Sequence, residues 1–370
     1  MNILLVANYR PDGQYSMLRA AELLEREFRS SGIRVLVVRP EPFFGRLIPL
    51  WPSPAKWLAY LDKYLLFPFC LIWRARRFQL VHIIDHSNAV YVFWLRSKIS
   101  VITCNDLLAV RSALGEMPEQ QTALTGRLLQ KWILAGLRRA DHITCISEAT
   151  KRDVLRLTGK NEKDVTRNYL GLEPIFAAEL ERRLSSQNAE VVHPGLGGSD
   201  PYILHVGGDT WYKNRPGVLL IYAEVRKRLG SLAPNLIMVG SPLHPEIQGV
   251  RFLREVTDTM LLDLYRNAAL LLFPSLYDGF GWPVVEAQAC GCPTVVTGTA
   301  PLTEAAGSAA VWIEDPRDIH QAADRVLEVL GDDSARRQQR QCAGYANASR
   351  FSRQQMAARY RELYTSLLAE

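Results

Sequence analysis

The strongest constraint on this chain is a pattern that runs twice along it. Short strands that are apolar on both faces are each followed by a turn of glycine or small polar residues, and then by an amphipathic helix. Residues 2–7 form the first such strand, residues 10–13 a loop, residues 16–30 a helix ended by Gly32, and residues 33–38 the next strand. A strand that is apolar on both faces must be covered on both, which is the condition of a parallel sheet flanked by helices. Residues 80–84, 100–103 and 142–146 continue the series, the last after a helix over 127–139. Ser147 has the chemistry of a helix cap and starts a helix running through Leu155.

A second series opens with strand 202–206 and helix 216–229, then strand 235–239, helix 258–267, strand 270–274, helix 283–289 and strand 294–296. Helices over 319–330 and 354–368 close the chain. Between the two series, residues 171–198 hold a short charged helix at 180–184, then Ser185, Ser186, Gln187 and Asn188, and finally Pro194-Gly195-Leu196-Gly197-Gly198, the composition of a connector. A chain of 370 residues exceeds one ordinary core, and 48% apolar residues suffice for two. The expectation is an α/β protein of two Rossmann-like domains facing a cleft. The first spans 1–175, a linker 176–198 and the second 199–350, with a closing helix at 351–370. Ligands of such sheets lie outside the carboxyl ends of the strands, so the cleft is the expected site.

Composition mainly excludes. Nothing resembles a coiled coil, a collagen or a disordered tail. The net charge of +6 favours a phosphate-bearing ligand or an anionic membrane without requiring either. The basic residues are scattered and no reading motif occurs, so nucleic acid is not expected as a partner. The amino terminus reads as a strand and lacks the basic region of a secretory signal, which points to the reducing cytoplasm and to free thiols. Cys290 and Cys292 form a lone C-x-C pair, too little for zinc, and no metal site is expected.

The segment 43–84 stands apart. It carries Trp51, Trp57, Trp73, Phe67, Phe69 and Tyr64, six basic residues and one acid, Asp62. Its longest uncharged run, 64–73, is too short to span a bilayer, which takes about twenty residues. Two readings stay open: a helical insertion on the first domain, covering about 43–79, or a basic aromatic surface that touches anionic lipid, a peripheral contact on the inner face of the membrane.

Two loops carry the chemistry. In Phe273-Pro274-Ser275-Leu276-Tyr277-Asp278-Gly279-Phe280-Gly281-Trp282-Pro283-Val284-Val285-Glu286 a strand ends, a glycine-rich turn follows, and Pro283 suits the first turn of a helix. Gly279 and Gly281 allow close approach of the backbone to phosphate or sugar oxygens at a helix start. Asp278 and Glu286 supply acceptors for the hydroxyls of a polyhydroxy ligand; the alternative is a turn cap and an arginine partner. In Val206-Gly207-Gly208-Asp209-Thr210-Trp211-Tyr212-Lys213-Asn214-Arg215-Pro216 a strand again gives way to glycines and a helix, with Lys213 and Arg215 offering positive charge to a diphosphate leaving group. Neither loop is a P-loop or a dinucleotide fingerprint.

These residues resemble glycosyltransferase family four, retaining enzymes of the GT-B type, over nearly the full length and most specifically over 202–316. The family's E-x7-E motif is similar to Asp278…Glu286, with Asp in place of the first Glu. Its G-x5-K-N setting corresponds to Gly207…Lys213-Asn214. Tyr212 stands where an arginine is frequent, and Arg215 is taken as its substitute. Ala140-Asp141-His142-Ile143-Thr144-Cys145-Ile146-Ser147-Glu148 is similar to a stretch ending the family's first domain, Tyr169-Leu170-Gly171-Leu172-Glu173 to a degraded N-G-V-D, and Leu302-Thr303-Glu304 to a region near the donor pocket. Relatives often carry His-Asp where this chain has Asn105-Asp106. Asp106 is kept as a candidate, and His86, in Asp85-His86-Ser87-Asn88, becomes a second candidate for the histidine role or a structural histidine.

The resemblance implies transfer of a sugar from a nucleotide donor, a UDP- or GDP-sugar, to a saccharide or lipid-linked saccharide, with retention and without metal or other cofactor. Lys213 and Arg215 would stabilise the departing diphosphate, Glu286 would hold the ribose, and Asp278 with the amides of Gly279, Phe280 and Gly281 would hold sugar hydroxyls. Gly207, Gly208 and Glu304 complete the donor side. Closure of the domains would exclude water, and the helix at 351–370 would pack back on the first domain as in relatives. An epimerase, a glycan phosphorylase or a degenerate scaffold on the same fold are the alternatives.

Overall fold

The structure is a computed structural model and describes residues 1–46, 52–95, 97–185, 201–240 and 246–369. The chain divides into two compact units, Met1–Gly171 with Arg353–Glu370, and Leu172–Ser352.

The first unit holds a six-stranded, all-parallel sheet in the order β2-β1-β3-β4-β5-β6. Its strands are β1 Asn2–Val6, β2 Arg34–Val38, β3 Leu80–Ile83, β4 Ile99–Cys104, β5 His142–Cys145 and β6 Val165–Arg167. Helices α1 Tyr15–Ser30, α2 Pro52–Leu61, α3 Phe67–Ala75, α4 Leu108–Ala113, α5 Leu124–Arg139 and α6 Glu148–Thr158 cover it. Residues 2–6 pair with 34–38 and 3–6 with 80–83 in simple register. Val6, Ile83, Ile102 and Ile143 form the middle of its core. Ser147 caps α6 as its sequence implies, its side chain accepting from the Thr150 amide.

The second unit repeats the plan. β7 Tyr202–Val206, β8 Asn235–Val239, β9 Val250–Leu253, β10 Ala268–Phe273, β11 Thr294–Thr297 and β12 Ala310–Ile313 lie in the order β12-β11-β10-β7-β8-β9, all parallel. Helices α7 Pro174–Ser185, α8 Arg215–Leu229, α9 Asp258–Asn267, α10 Trp282–Ala289, α11 Leu302–Ala306, α12 Ile319–Leu330 and α13 Ser334–Ala348 belong to it.

Three differences from the sequence reading have physical causes. The strands not expected, β6, β9 and β12, are all sheet edges. An edge strand is short and half covered, so Val165–Arg167 and Val250–Leu253 keep polar residues and lose the doubly apolar signature. The stretch read as a connector from 176 begins as α7, a helix packed into the second unit. Its Glu179 side chain is wholly buried and bonded to Arg182, Arg183 and Arg266, and Phe176 meets Tyr265 edge-on at 5.9 Å. The rest of the expected linker, 186–198, lies outside the described residues. The helix 353–369, here α14, packs within the first unit: Tyr360 and Tyr364 flank Phe28 at 5.7 and 5.6 Å, Tyr364 Oη shares a 2.7 Å hydrogen bond with His82 Nδ1, and Arg353 pairs with Glu27.

The aromatic segment forms a helix unbroken from Pro52 to Ala75, with a π turn over Asp62–Leu66. Its inner face enters the first core through Phe67, Leu71 and Ala75. The buried Asp62 accepts from the amides of Phe44 and Gly45 and from Tyr9 Oη, and Lys63 pairs with Asp12 at 2.8 Å.

Candidate active site

In each sheet the strand order reverses once, between β1 and β3 in the first unit and between β7 and β10 in the second. Loops that leave such a pair of strands diverge and open a crevice at the carboxyl edge of the sheet. In both units a polar side chain from one loop meets a polar side chain from the other across that point.

In the second unit the pair is ionic. Lys213, from the loop after β7, lies with Nζ 2.5 Å from Oδ2 of Asp278, in the loop after β10. Both side chains are largely buried, and Nζ also sits 4.8 Å from the centre of the Phe273 ring. The two loops are knitted by backbone: Leu276 N donates to Tyr212 O at 2.8 Å. Asn214 completes the joint. It adopts a left-handed conformation (φ 52°) that asparagine tolerates better than most residues, and its Nδ2 donates to Pro274 O at 3.0 Å. Helix α8 starts directly after Asn214. Gly281, at φ 101°, caps α10, and a Cβ there would lie 2.5 Å from Leu302 Cδ2, so the turn accepts only glycine. Two helix amino termini, with their positive dipole ends, thus flank the Lys213–Asp278 pair, an arrangement suited to anionic groups.

Glu286 lies one turn inside α10 and is 9% exposed. Tyr265 of α9, fully buried, donates its hydroxyl to Glu286 Oε2 at 3.0 Å. Burial and the adjacent Glu286 carboxylate push the Tyr265 hydroxyl well above its usual pKa, so it stays a donor. His205 in β7 bonds Leu272 O through Nδ1 at 3.0 Å and is held neutral by burial, its pKa lowered to about 4. It packs under Gly207, where a Cβ would meet its Nε2 at 3.1 Å.

In the first unit the bridge is neutral to anionic. Asn8, after β1, donates Nδ2 to Asp85 Oδ2, after β3, at 2.5 Å. Asp85 also accepts from the Ser87 amide and hydroxyl and from Asn105 Nδ2 at 3.4 Å. Burial alone would raise its pKa, but these donors and His86 outweigh it and keep the carboxyl ionised below the usual range. His86 Nδ1 lies 3.1 Å from Asp85 Oδ1. Burial lowers the pKa of His86, and the charges of Asp85 and Asp106 overcome that, so the net shift is upward. Asp106 Oδ1 accepts from the Leu108 amide at the start of α4. The segment from 86 to 94 is held by α5 at Gly136, where a Cβ would lie 2.4 Å from Ala89 O.

Not every expected residue lies open at these loops. Arg215 is 2% exposed: its guanidinium donates to the carbonyls of Gly207 (2.6 Å), Val239 and Gly240, bracing the ends of β7 and β8. A buried cation is costly to desolvate, and carbonyls at the strand ends compensate it there, so Arg215 shapes the glycine loop from beneath. Phe280 is also a core residue. Its ring packs on Trp282 and Phe351 at 4.9 and 5.4 Å, and its amide is engaged by Asp278 Oδ1 at 3.2 Å, which removes one amide from the expected sugar cradle. Among the described residues, chain neighbours aside, no atom lies within 4 Å of a Cβ built on Gly208, so none of these dictates glycine there. Glu304 sits half-buried in the first turn of α11.

Asn8, Asp85, Asn214 and Tyr265 were given no site role from sequence, although Asp85 and Asn214 lay inside quoted motifs. The first three had a signal, since each follows a strand end or precedes a helix at a sheet's carboxyl edge. Tyr265 had none beyond the apolar stripe of α9. A hollow of about 500 Å³ lined by Tyr202, Asn235, Gly249 and Val250 lies at the amino-terminal edge of the second sheet, away from these groups. Among the described residues no cluster of three or more His, Cys, Asp or Glu side chains is placed to hold a metal ion.

Comparison with known proteins places the chain. Residues 189–346 match the family Glycosyl transferases group 1, and residues 19–174 match Glycosyltransferase Family 4. The chain is 35% identical over 292 residues to O-antigen chain mannosyltransferase B of Escherichia coli, covering 76% of this chain and 70% of that one. It is 25% identical over 270 residues to the serotype-specific mannosyltransferase WbdA of Escherichia coli, covering 67% of this chain but only 31% of the relative. Among solved structures it is similar to sucrose-phosphate synthase from Thermosynechococcus elongatus (TM-score 0.72, 17% identity, 100% and 99% of the two chains). It is also similar to an E. coli trehalose-6-phosphate protein bound with UDP-2-fluoro glucose (TM-score 0.69, 13% identity, 98% of each). At such identities these likenesses establish the fold, α/β and GT-B. Two parallel sheets with polar bridges at their switch points, the two family matches and the mannosyltransferase relative together make this chain a glycosyltransferase belonging to Glycosyltransferase Family 4.

Proposed function

We propose that the chain transfers a hexosyl residue from a nucleoside-diphosphate sugar to a saccharide or lipid-linked saccharide in the synthesis of an envelope polysaccharide, with retention of configuration. The observation that carries this reading is the Lys213–Asp278 pair held between the starts of α8 and α10. A diphosphate leaving group develops negative charge as the glycosidic bond breaks, and a poised ammonium with two helix termini stabilises that charge without proton transfer. On this reading Lys213 exchanges Asp278 for the phosphates, Asp278 turns to the sugar hydroxyls, and Glu286, steered by Tyr265, binds the ribose. His86 and Asp106, beside Asp85 in the first unit, serve the acceptor. Mannose is the first sugar to test, because two relatives carry mannosyltransferase names. The base is uracil or guanine, and no metal takes part.

Calorimetry with a panel of UDP-, GDP-, ADP- and dTDP-sugars, with and without EDTA, tests the donor side. Tight binding of one UDP- or GDP-hexose that EDTA leaves unchanged is expected. Binding abolished by EDTA would overturn the metal-independent reading, and a preference for another base would overturn the donor. The donor incubated alone and with oligosaccharide acceptors separates transfer from epimerisation. Proton NMR of the first product reads the anomeric configuration, and inversion would refute the proposed stereochemistry.

A further inference from the structure

The helix from Pro52 to Ala75 has an outer face that the fold leaves bare. Trp57, Leu61, Leu65, Phe69 and Trp73 are spaced four residues apart and lie between 40% (Leu61) and 69% (Phe69) exposed. An α-helix turns a four-residue repeat by about 40° per step, so such a stripe would soon wind out of one face. The π turn at Asp62–Leu66, with its wider winding, takes up part of that drift. Leu66 and Ile72 widen the stripe. The opposite face enters the first core through Phe67, Leu71 and Ala75, with Tyr64 packed against it, so the exposed residues are not a fraying helix end. Helix α5 adjoins through Trp132, whose ring is 5.5 Å from Tyr64, and its first two turns add exposed Leu124 and Leu128.

The exposed charges described on these two helical segments have one sign. Arg74, Arg76 and Arg77 follow the stripe and are exposed, as are Arg127 and Lys131 on α5. Residues 52–77 and 124–139 contain a single acid, Asp62, and it is buried with its carboxylate satisfied by amides and Tyr9. No described helix is long and apolar enough to cross a membrane. An apolar stripe with tryptophan near both ends and a rim of arginines is the physical signature of a helix lying in the plane of a bilayer interface.

We infer that this face binds anionic lipid bilayers, with Trp57, Leu61, Leu65, Phe69 and Trp73 entering the acyl boundary and Arg74, Arg76, Arg77, Arg127 and Lys131 pairing with anionic headgroups. The inference stands on the first unit alone and does not depend on the donor or acceptor of the transferase.

Flotation of the full chain with phosphatidylcholine vesicles, with and without about one-third phosphatidylglycerol, tests it. Binding to the anionic vesicles is expected, weakened by high salt and weak on pure phosphatidylcholine. Phe69→Glu with Trp73→Glu should lower binding by at least about tenfold, and Arg74→Ala/Arg76→Ala/Arg77→Ala should do the same for anionic vesicles only. These side chains are exposed, so circular dichroism and melting should match the parent. If the glutamate pair fails to fold, the arginine variant decides alone. No flotation with anionic vesicles at low salt overturns the inference, as does undiminished binding in both variants. Concentration-dependent self-association that Phe69→Glu abolishes, without vesicle binding, would assign the face to a second copy and equally overturn it.

Discussion

On the proposed function, replacing Lys213 by alanine separates two things, the stability of the loops after β7 and β10 and the charge offered to a leaving diphosphate. An ammonium about 4 Å from a phosphate oxygen is worth about 4 kcal/mol at an effective dielectric of about 20. Lys213 is 14% exposed at its side chain, so solvent screening removes little of that. Part of the attraction is already engaged by Asp278 at 2.5 Å, and only the gain between ground and transition state accelerates the reaction. About 2–4 kcal/mol remains, a fall of roughly 10²–10³ in kcat. The same substitution strands the Asp278 carboxylate, 8% exposed, with the Phe280 amide as its remaining described donor. That should cost about 1–3 kcal/mol, lowering Tm by about 2–4 °C per kcal/mol. The double variant Lys213→Ala/Asp278→Asn removes the stranded charge. Its Tm should recover while its turnover does not. The assay is release of nucleoside diphosphate at saturating donor and acceptor, beside thermal melts of the three proteins. A kcat within about threefold of the parent in Lys213→Ala, or turnover that returns with Tm in the double variant, would show that Lys213 only neutralises Asp278.

Tyr265→Phe deletes the hydroxyl that steers Glu286 and should weaken donor binding about tenfold by calorimetry with a smaller effect on kcat, as expected for a lost hydrogen bond to a charged group; an unchanged Kd would remove Tyr265 from the donor side. Gly136→Ala would bring a Cβ to 2.4 Å from Ala89 O, and overpacking against backbone should cost about 1–3 kcal/mol, read as a lower urea midpoint with no change in m; a midpoint equal to the parent's would refute that contact. Burial holds His82, His142 and His205 neutral, with pKa values lowered to about 3, 4 and 4 from 6.5. Below 6.5 the unfolded chain takes up protons that the folded chain refuses, so stability falls as pH drops toward 4, by about 2 kcal/mol per histidine at about pH 5. His86, whose pKa is raised, works in the opposite sense: its contribution is present below 6.5 and lost as pH rises through its folded value. Urea midpoints unchanged between neutral pH and about pH 5 would contradict the buried-neutral assignment.

The fold class was legible because buried parallel strands advertise themselves. Residues 2–6, 202–206 and 268–273 are nearly all apolar, and no other architecture covers both faces of so many short runs. The edges were not legible, since a strand that is half solvated looks like a loop. The residues of the candidate site were partly legible. Lys213, Asp278, Gly281 and Glu286 stand at strand ends and helix starts, where spacing and glycine carry information. Arg215 and Phe280 sit in the same motifs, and no local pattern distinguishes a side chain that points outward from one that turns under the loop.

The order of strands is a different matter. Sequence alone determined that there are two α/β units, that glycine and polar residues gather in the loops after strands, and which side chains in those loops can carry charge. Only the tertiary structure decided that β1 meets β3 and β7 meets β10, and so that Asn8 faces Asp85 and Lys213 faces Asp278. Periodicity records whether each residue is covered, which is a one-body property. Pairing across a switch point is a relation between residues 77 and 65 positions apart, and the energy that selects it is summed over the whole sheet and its covering helices.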